Sequence, residues 1–246
     1  MEVHAYTHTE RKKWTHYFWE FLMLFLAVFC GFLAEYQLEH KIEKIREKQY
    51  MQSMIKDLNT DLANMSLCFT EKESMIKLGD SITQLFILGT HDQHTGKAYY
   101  YARNFSTMKN LFLMTDGTLR QLKNSGGLRL IRKTIIVDSL QSYDNLYQQF
   151  IVTQENEVDY LMQYRDMLGK ILDVKVFNGM VKTYPEIIRL EGNPELFGTD
   201  KQQINDFLLK IHLLKRTKLA EIYYLEQLRH KATNLTSLIK KEYHLK

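Results

Sequence analysis

Apolar positions along the chain fall into one nearly unbroken run and several periodic stripes. The run is residues 17–34, YFWEFLMLFLAVFCGFLA, interrupted only by Glu20. At about 1.5 Å per residue it covers roughly 27 Å, close to the hydrocarbon thickness of a bilayer, and it predicts a transmembrane helix. Trp14, Tyr17 and Trp19 cluster at its N-terminal edge, where amphipathic aromatics settle at the headgroup level, and Arg11, Lys12 and Lys13 precede them. A cleaved signal peptide is the poorer reading, because Phe32-Leu33-Ala34 puts Phe where the exit wants a small residue. Bulky Phe29 likewise argues against Cys30 as a lipoprotein cysteine. A buried core helix is the other rival, and the charge on both flanks of the run disfavours it. Glu20 lies in the first turn of the span and can snorkel to the interface beside His16.

The stripes beyond the run have helical spacing. No Gly or Pro falls between Gly31 and Gly79. Leu38, Ile42 and Ile45, then Ile55, Leu58, Leu62, Met65 and Phe69, form a heptad-like seam with a polar break at Lys48 and Gln52. One long helix is expected, leaving the anchor as a stalk and running to about residue 88. A second spans 135–172, with Leu140, Tyr143, Tyr147, Phe150, Leu161, Tyr164 and Leu168 as its apolar stripe. A third is capped by Asp200 and runs to about residue 241, lined by Ile204, Leu208, Ile211, Leu214, Ile222, Leu225, Ala232, Leu235 and Ile239. Between the first two, residues 108–114 read as an apolar helix or buried turn. Thr115 or Asp116 N-caps a short helix over 119–123, and Asn124-Ser125-Gly126-Gly127 stops it. Residues 169–203 are irregular, with a turn at Gly192-Asn193-Pro194 and a brief strand expected at 174–177. The pattern predicts an all-α chain: a short tail (1–16), a transmembrane anchor (17–34), and a helical domain (35–246) that begins as a stalk and folds into an antiparallel bundle.

Composition sharpens this picture in three places. Only 2 Pro and 11 Gly in 246 residues suit long helices. A net charge of +4 is too mild to indicate nucleic acid as a partner. The helix–turn–helix rhythm of TDGTLRQLKNSGGLRLI brings no basic recognition face, so packing explains it better than DNA reading. Cys30 and Cys68 are far apart by position, which makes an intramolecular disulfide unexpected. The loop from Gly89 to Lys97 has the wrong spacing for a phosphate loop, and Ala98 stands where Ser or Thr is needed. His91, Asp92 and His94 in that loop lack a distant metal-ligating partner. No cofactor or metal is expected. With no G-x-S-x-G, H-E-x-x-H, Walker or Cys-x-x-Cys motif, neither is an enzyme. The aromatics at helical spacing read as core ahead of a ligand slot.

Ala27, Gly31 and Ala34 recur at helical spacing in the anchor and form a candidate packing face for another helix. Basic residues nearly balance across the anchor, with Lys41, Lys44, Arg46 and Lys48 on the far side. The N-terminal cluster is closer to the apolar core and its tail is shorter, which places the N-terminus inside and the bulk of the chain outside the cytoplasm.

The segment HTERKKWTHYFWEFLMLFLAVFCGFLAEYQLEHKIEKIREKQYMQSMIKDL resembles the N-termini of single-pass helical membrane proteins of Bacteroidota that have no assigned activity. TDGTLRQLKNSGGLRLI is similar to the middle motif of such families, a Leu-rich helix, a Ser-Gly turn and a Leu-x-x-Ile segment. The resemblance implies a bacterial inner-membrane protein and transfers no functional residue. The expected function is that of a structural or accessory protein acting through helix–helix contacts in a membrane complex, with the bilayer and a membrane-protein partner or a second copy as its partners. The alternative is an extracytoplasmic sensory or small-ligand-binding module. Gln154 and Asn156 discriminate between them: around a core pocket they would favour a ligand, and otherwise a scaffold.

Overall fold

A computed structural model describes residues 14–88, 94–107, 111–181 and 183–245. The chain divides into two compact units, residues 1–50 and 51–246. Helix α1 (Trp14–Ile87) is continuous through both. In the first unit its side chains are almost all exposed, including Phe21, Leu24, Phe25 and Phe32. The rings of Phe21, Phe25 and Phe29 stack one turn apart, at 6.3 and 5.9 Å.

The second unit is built on three heptad helices: the later part of α1, α4 (Thr134–Ile171) and α6 (Lys201–Tyr243). The buried positions of α1 alternate at spacings of three and four: Met51, Met54, Leu58, Asp61, Met65, Cys68, Lys72, Met75, Gly79, Ile82 and Phe86. Those of α4 run Ile136, Leu140, Tyr143, half-buried Tyr147, Phe150, Gln154, Glu157, Leu161, Tyr164, Leu168 and Ile171 in the same rhythm. Helix α6 repeats it from Phe207 to Ile239. This is the seam of a coiled coil, with side chains meeting from each helix in successive layers. Cross-helix pairs fix the directions. Asp61–Tyr143 and Lys72–Glu157 set α1 and α4 parallel. Ser142–Lys231 and Gln163–Lys210 set α6 antiparallel to α4.

Two parallel neighbours in sequence require a return path between them. It is formed by α2 (Thr95–Phe105), an irregular stretch over 111–116, and α3 (Gly117–Asn124), which ends on left-handed Gly126 (φ 67°) and a 3-10 turn, Gly127–Leu130. The expected helix or buried turn at 108–114 is therefore irregular backbone over its described residues. Asp116 is the N-cap position of α3, as expected, but its side chain makes no capping bond. At the other end residues 172–200 cross from α4 to α6. Here the expected strand at 174–177 is instead α5 (Val174–Gly179), because the Asp173 carboxylate accepts the Lys175 N–H and starts a helical turn. Asp200 caps α6 as predicted, accepting from Gln203 N at 3.0 Å. Phe86, Tyr99, Phe105, Tyr164 and Phe207 fill the core at this end. The ring pairs Phe105–Tyr164 (5.2 Å) and Phe86–Phe207 (5.5 Å) meet edge to face.

Two glycines allow the crossover to lie against helix ends. A Cβ on Gly96 would sit 2.3 Å from the Gly192 carbonyl oxygen, and one on Gly198 would sit 2.1 Å from that of Lys170. Both approaches are closer than any side chain tolerates.

Candidate functional site

The sequence-predicted packing residues Ala27, Gly31 and Ala34 lie on one exposed face of α1, and a Cβ added at Gly31 would meet nothing within 4 Å. The apolar window that holds them has mean hydropathy 2.0 and is 0% buried, and this is the one helix among the described residues long and apolar enough to cross a membrane. Glu20 and His16 pair at 3.0 Å on adjacent turns, as their spacing suggests.

In the bundle, the chemistry gathers at charged residues placed on the seam. Lys72 of α1, Glu157 of α4, and Lys218 and Glu221 of α6 form one buried cluster, with exposures of 2, 5, 6 and 0%. Lys72 Nζ lies 2.9 Å from a Glu157 oxygen. Lys218 also pairs with Glu157, and Lys72 with Glu221. Burial works against ionising Glu157, but Lys218 and Lys72 together outweigh it and hold the carboxyl down at about 2. Burial pushes Glu221 up to about 8; Lys72 opposes the rise, and Glu157 adds to it. Lys72 is raised in turn, because its two carboxylate neighbours outweigh desolvation. Glu157 is therefore the carboxylate that both lysines share, and leaving either lysine without it in the core is costly.

A second set of polar seam residues holds the return path in place. Asp61 accepts the Thr115 N–H at 2.7 Å and the Tyr143 hydroxyl at 2.7 Å, and Asp57 accepts the Thr118 N–H at 3.0 Å. Gln154 binds both ends of Phe112, accepting from its N–H (3.0 Å) and donating to its carbonyl (3.1 Å). The Tyr147 hydroxyl accepts the Met114 N–H, and the Tyr164 hydroxyl donates to the Ala102 carbonyl. These side chains replace the ladder bonds that an irregular buried backbone lacks. The TDGT start of the sequence motif is thus bound by α1 carboxylates, which fits the packing reading of that motif.

His94 occupies the N-cap position of α2 without a capping bond. His91 and Asp92 lie outside the described residues. Among the described residues no cluster of His, Cys, Asp and Glu could hold a metal ion. Burial pushes the Cys68 thiol up, which keeps it from acting as a nucleophilic thiolate.

Sequence reasoning missed the tetrad. Its signal was available: once the three-four rhythm is in register, Lys72, Glu157, Lys218 and Glu221 all occupy seam positions, where unpaired charge is not tolerated. No protein-family model, curated protein or solved structure matches the chain.

Proposed function

We propose that this chain is a single-pass membrane protein whose helical bundle serves as an accessory or scaffolding element of a membrane complex. The observation that carries the reading is the wholly exposed apolar window of α1, a surface that water disfavours and a bilayer accepts. The small-residue face at Ala27, Gly31 and Ala34 offers close approach to a partner's transmembrane helix. The bundle supports the same reading. Gln154 is buried and bonded to backbone at both ends of its amide, and Asn156 is exposed, so neither opens a ligand pocket in the core. The Arg11, Lys12 and Lys13 cluster next to the apolar run favours the bundle on the periplasmic side, and the resemblance of the anchor segment to single-pass proteins of Bacteroidota favours an inner membrane.

The test is to tag the C-terminus, extract native membranes in mild detergent, and identify what copurifies and at what mass. A reproducible set of membrane subunits is expected. Recovery of the chain by itself would overturn the accessory reading. A C-terminal phosphatase fusion should be active in cells; an inactive phosphatase fusion alongside a fluorescent cytoplasmic one would reverse the orientation.

A further inference from the structure

A groove of about 570 Å³ opens in the bundle unit where the end of α2 meets the last turns of α4 and the start of α5, a volume within the range of small-ligand sites. Leu168, Leu172 and Phe177 supply an apolar wall. The polar end carries two arginines that converge on one residue, Ser106. Arg103 Nη1 donates to its Oγ at 3.1 Å, and Arg165 donates to its carbonyl from Nε (3.0 Å) and Nη2 (2.8 Å). These acceptors are neutral. Among the described residues no carboxylate lines the groove. Arg165 accounts for a carbonyl at the end of α2, a task one cation fulfils. Arg103 adds a second positive charge at the same spot, and no carboxylate among the groove's described lining residues balances it. A guanidinium is a planar fork that suits carboxylate and phosphate oxygens.

We infer that this groove binds a small amphiphilic anion, a carboxylate or phosphate on a short apolar tail. The head sits at Arg103 and Arg165, and the tail lies along Leu168, Leu172 and Phe177. Gly169 lines the groove between them, and an added Cβ there meets nothing within 4 Å. The inference does not rest on the accessory reading, because every residue in it belongs to the bundle.

The probe is hexyl phosphate, titrated by calorimetry into the full chain in phosphatidylcholine nanodiscs. Hexanol and inorganic phosphate serve as its two halves. Saturable binding of hexyl phosphate is expected, about tenfold or more tighter than either half. Arg103→Gln removes one charge and leaves the Arg165 cap in place. Gly169→Leu fills the groove and leaves both arginines. Each should weaken binding about tenfold or more with an unchanged unfolding midpoint. Displacement by phosphatidylglycerol vesicles would identify a lipid headgroup as the natural source, and retention in their presence a free ligand; both support the site. Absence of binding, equal binding of inorganic phosphate or of hexanol, or hexyl phosphate affinity unchanged in the two variants would each overturn it.

Discussion

Four ionisable side chains on the buried seam make the stability of the bundle depend on pH in two opposed ways. Glu157 is held at about 2, below its ordinary 4.5, so its contribution is present above pH 4.5 and is lost as pH falls toward 2. Glu221 is raised from 4.5 to about 8, so its contribution is present below pH 4.5 and is lost as pH rises through 8. The unfolding free energy from urea titration should therefore peak near pH 5 and decline toward pH 8, by on the order of a few kcal/mol. Glu221→Gln cannot titrate and should flatten that decline, leaving the acid limb in place; a decline that persists in this variant would remove Glu221 as its source. Removing one partner is a different perturbation from removing all four. Glu157→Leu strands Lys218 in the core, leaves Lys72 with Glu221 alone, and should cost about 3 to 5 kcal/mol. Replacing all four residues with Leu and Met should be neutral or stabilising in the same urea titration, because the desolvation of the cluster disappears with its attractions.

The elements follow from how sequence period meets the polar interruptions of that period. The long helices were legible because their apolar stripes repeat at helical spacing over many turns: the ends of α4 and α6 fall within two residues of the expected positions. The α1 seam was legible in part: Leu58 and Met65 lie in the buried column, and the other three positions fall one column to the side. Ile55, Leu62 and Phe69 flank the buried column, whereas Met51, Met54, Cys68 and Met75 fill it. The shift arose because Asp61 and Lys72 stand in the true column and break its apolar character. The return path was the least legible element, since its backbone is held by side chains distant in sequence: Asp57, Asp61, Tyr147 and Gln154. No local propensity encodes such bonds. The same dependence makes a prediction. Gln154→Leu keeps the volume apolar but leaves the Phe112 N–H and carbonyl buried without their partner, and should cost about 2 to 5 kcal/mol. Hydrogen exchange should accelerate at Phe112 and Leu113 before it does in the middle of α4. Uniform acceleration across the bundle would show that Gln154 supports the whole core and not the return path alone. The Arg103–Arg165 groove had no signal in the sequence, because it joins two arginines from separate helices whose spacing carries no periodicity.

For the whole molecule, the decisive asymmetry is between an apolar window that is 0% buried and a bundle whose core is dense with paired groups. Each part should answer to a different substitution. Leu26 is 45% exposed and lies in the middle of the apolar run. Leu26→Arg places a cation near the bilayer centre, which insertion scales put at about 2.5 to 3.5 kcal/mol against spanning. Paired with Phe25→Arg, the penalty should shift much of the chain from the membrane pellet to the carbonate-soluble fraction. Because the window makes no buried contact, the urea midpoint of the bundle should stay the same. Glu157→Leu should do the reverse: the chain stays in the pellet and the bundle midpoint falls. If the double-arginine variant instead lost its bundle along with its membrane association, the apolar window would be part of the folding core and the anchor reading would fail. If it kept both, some surface other than the apolar run would be holding the protein to the membrane. Only a chain that loses its membrane association with its bundle intact is consistent with the apolar run acting as a membrane anchor.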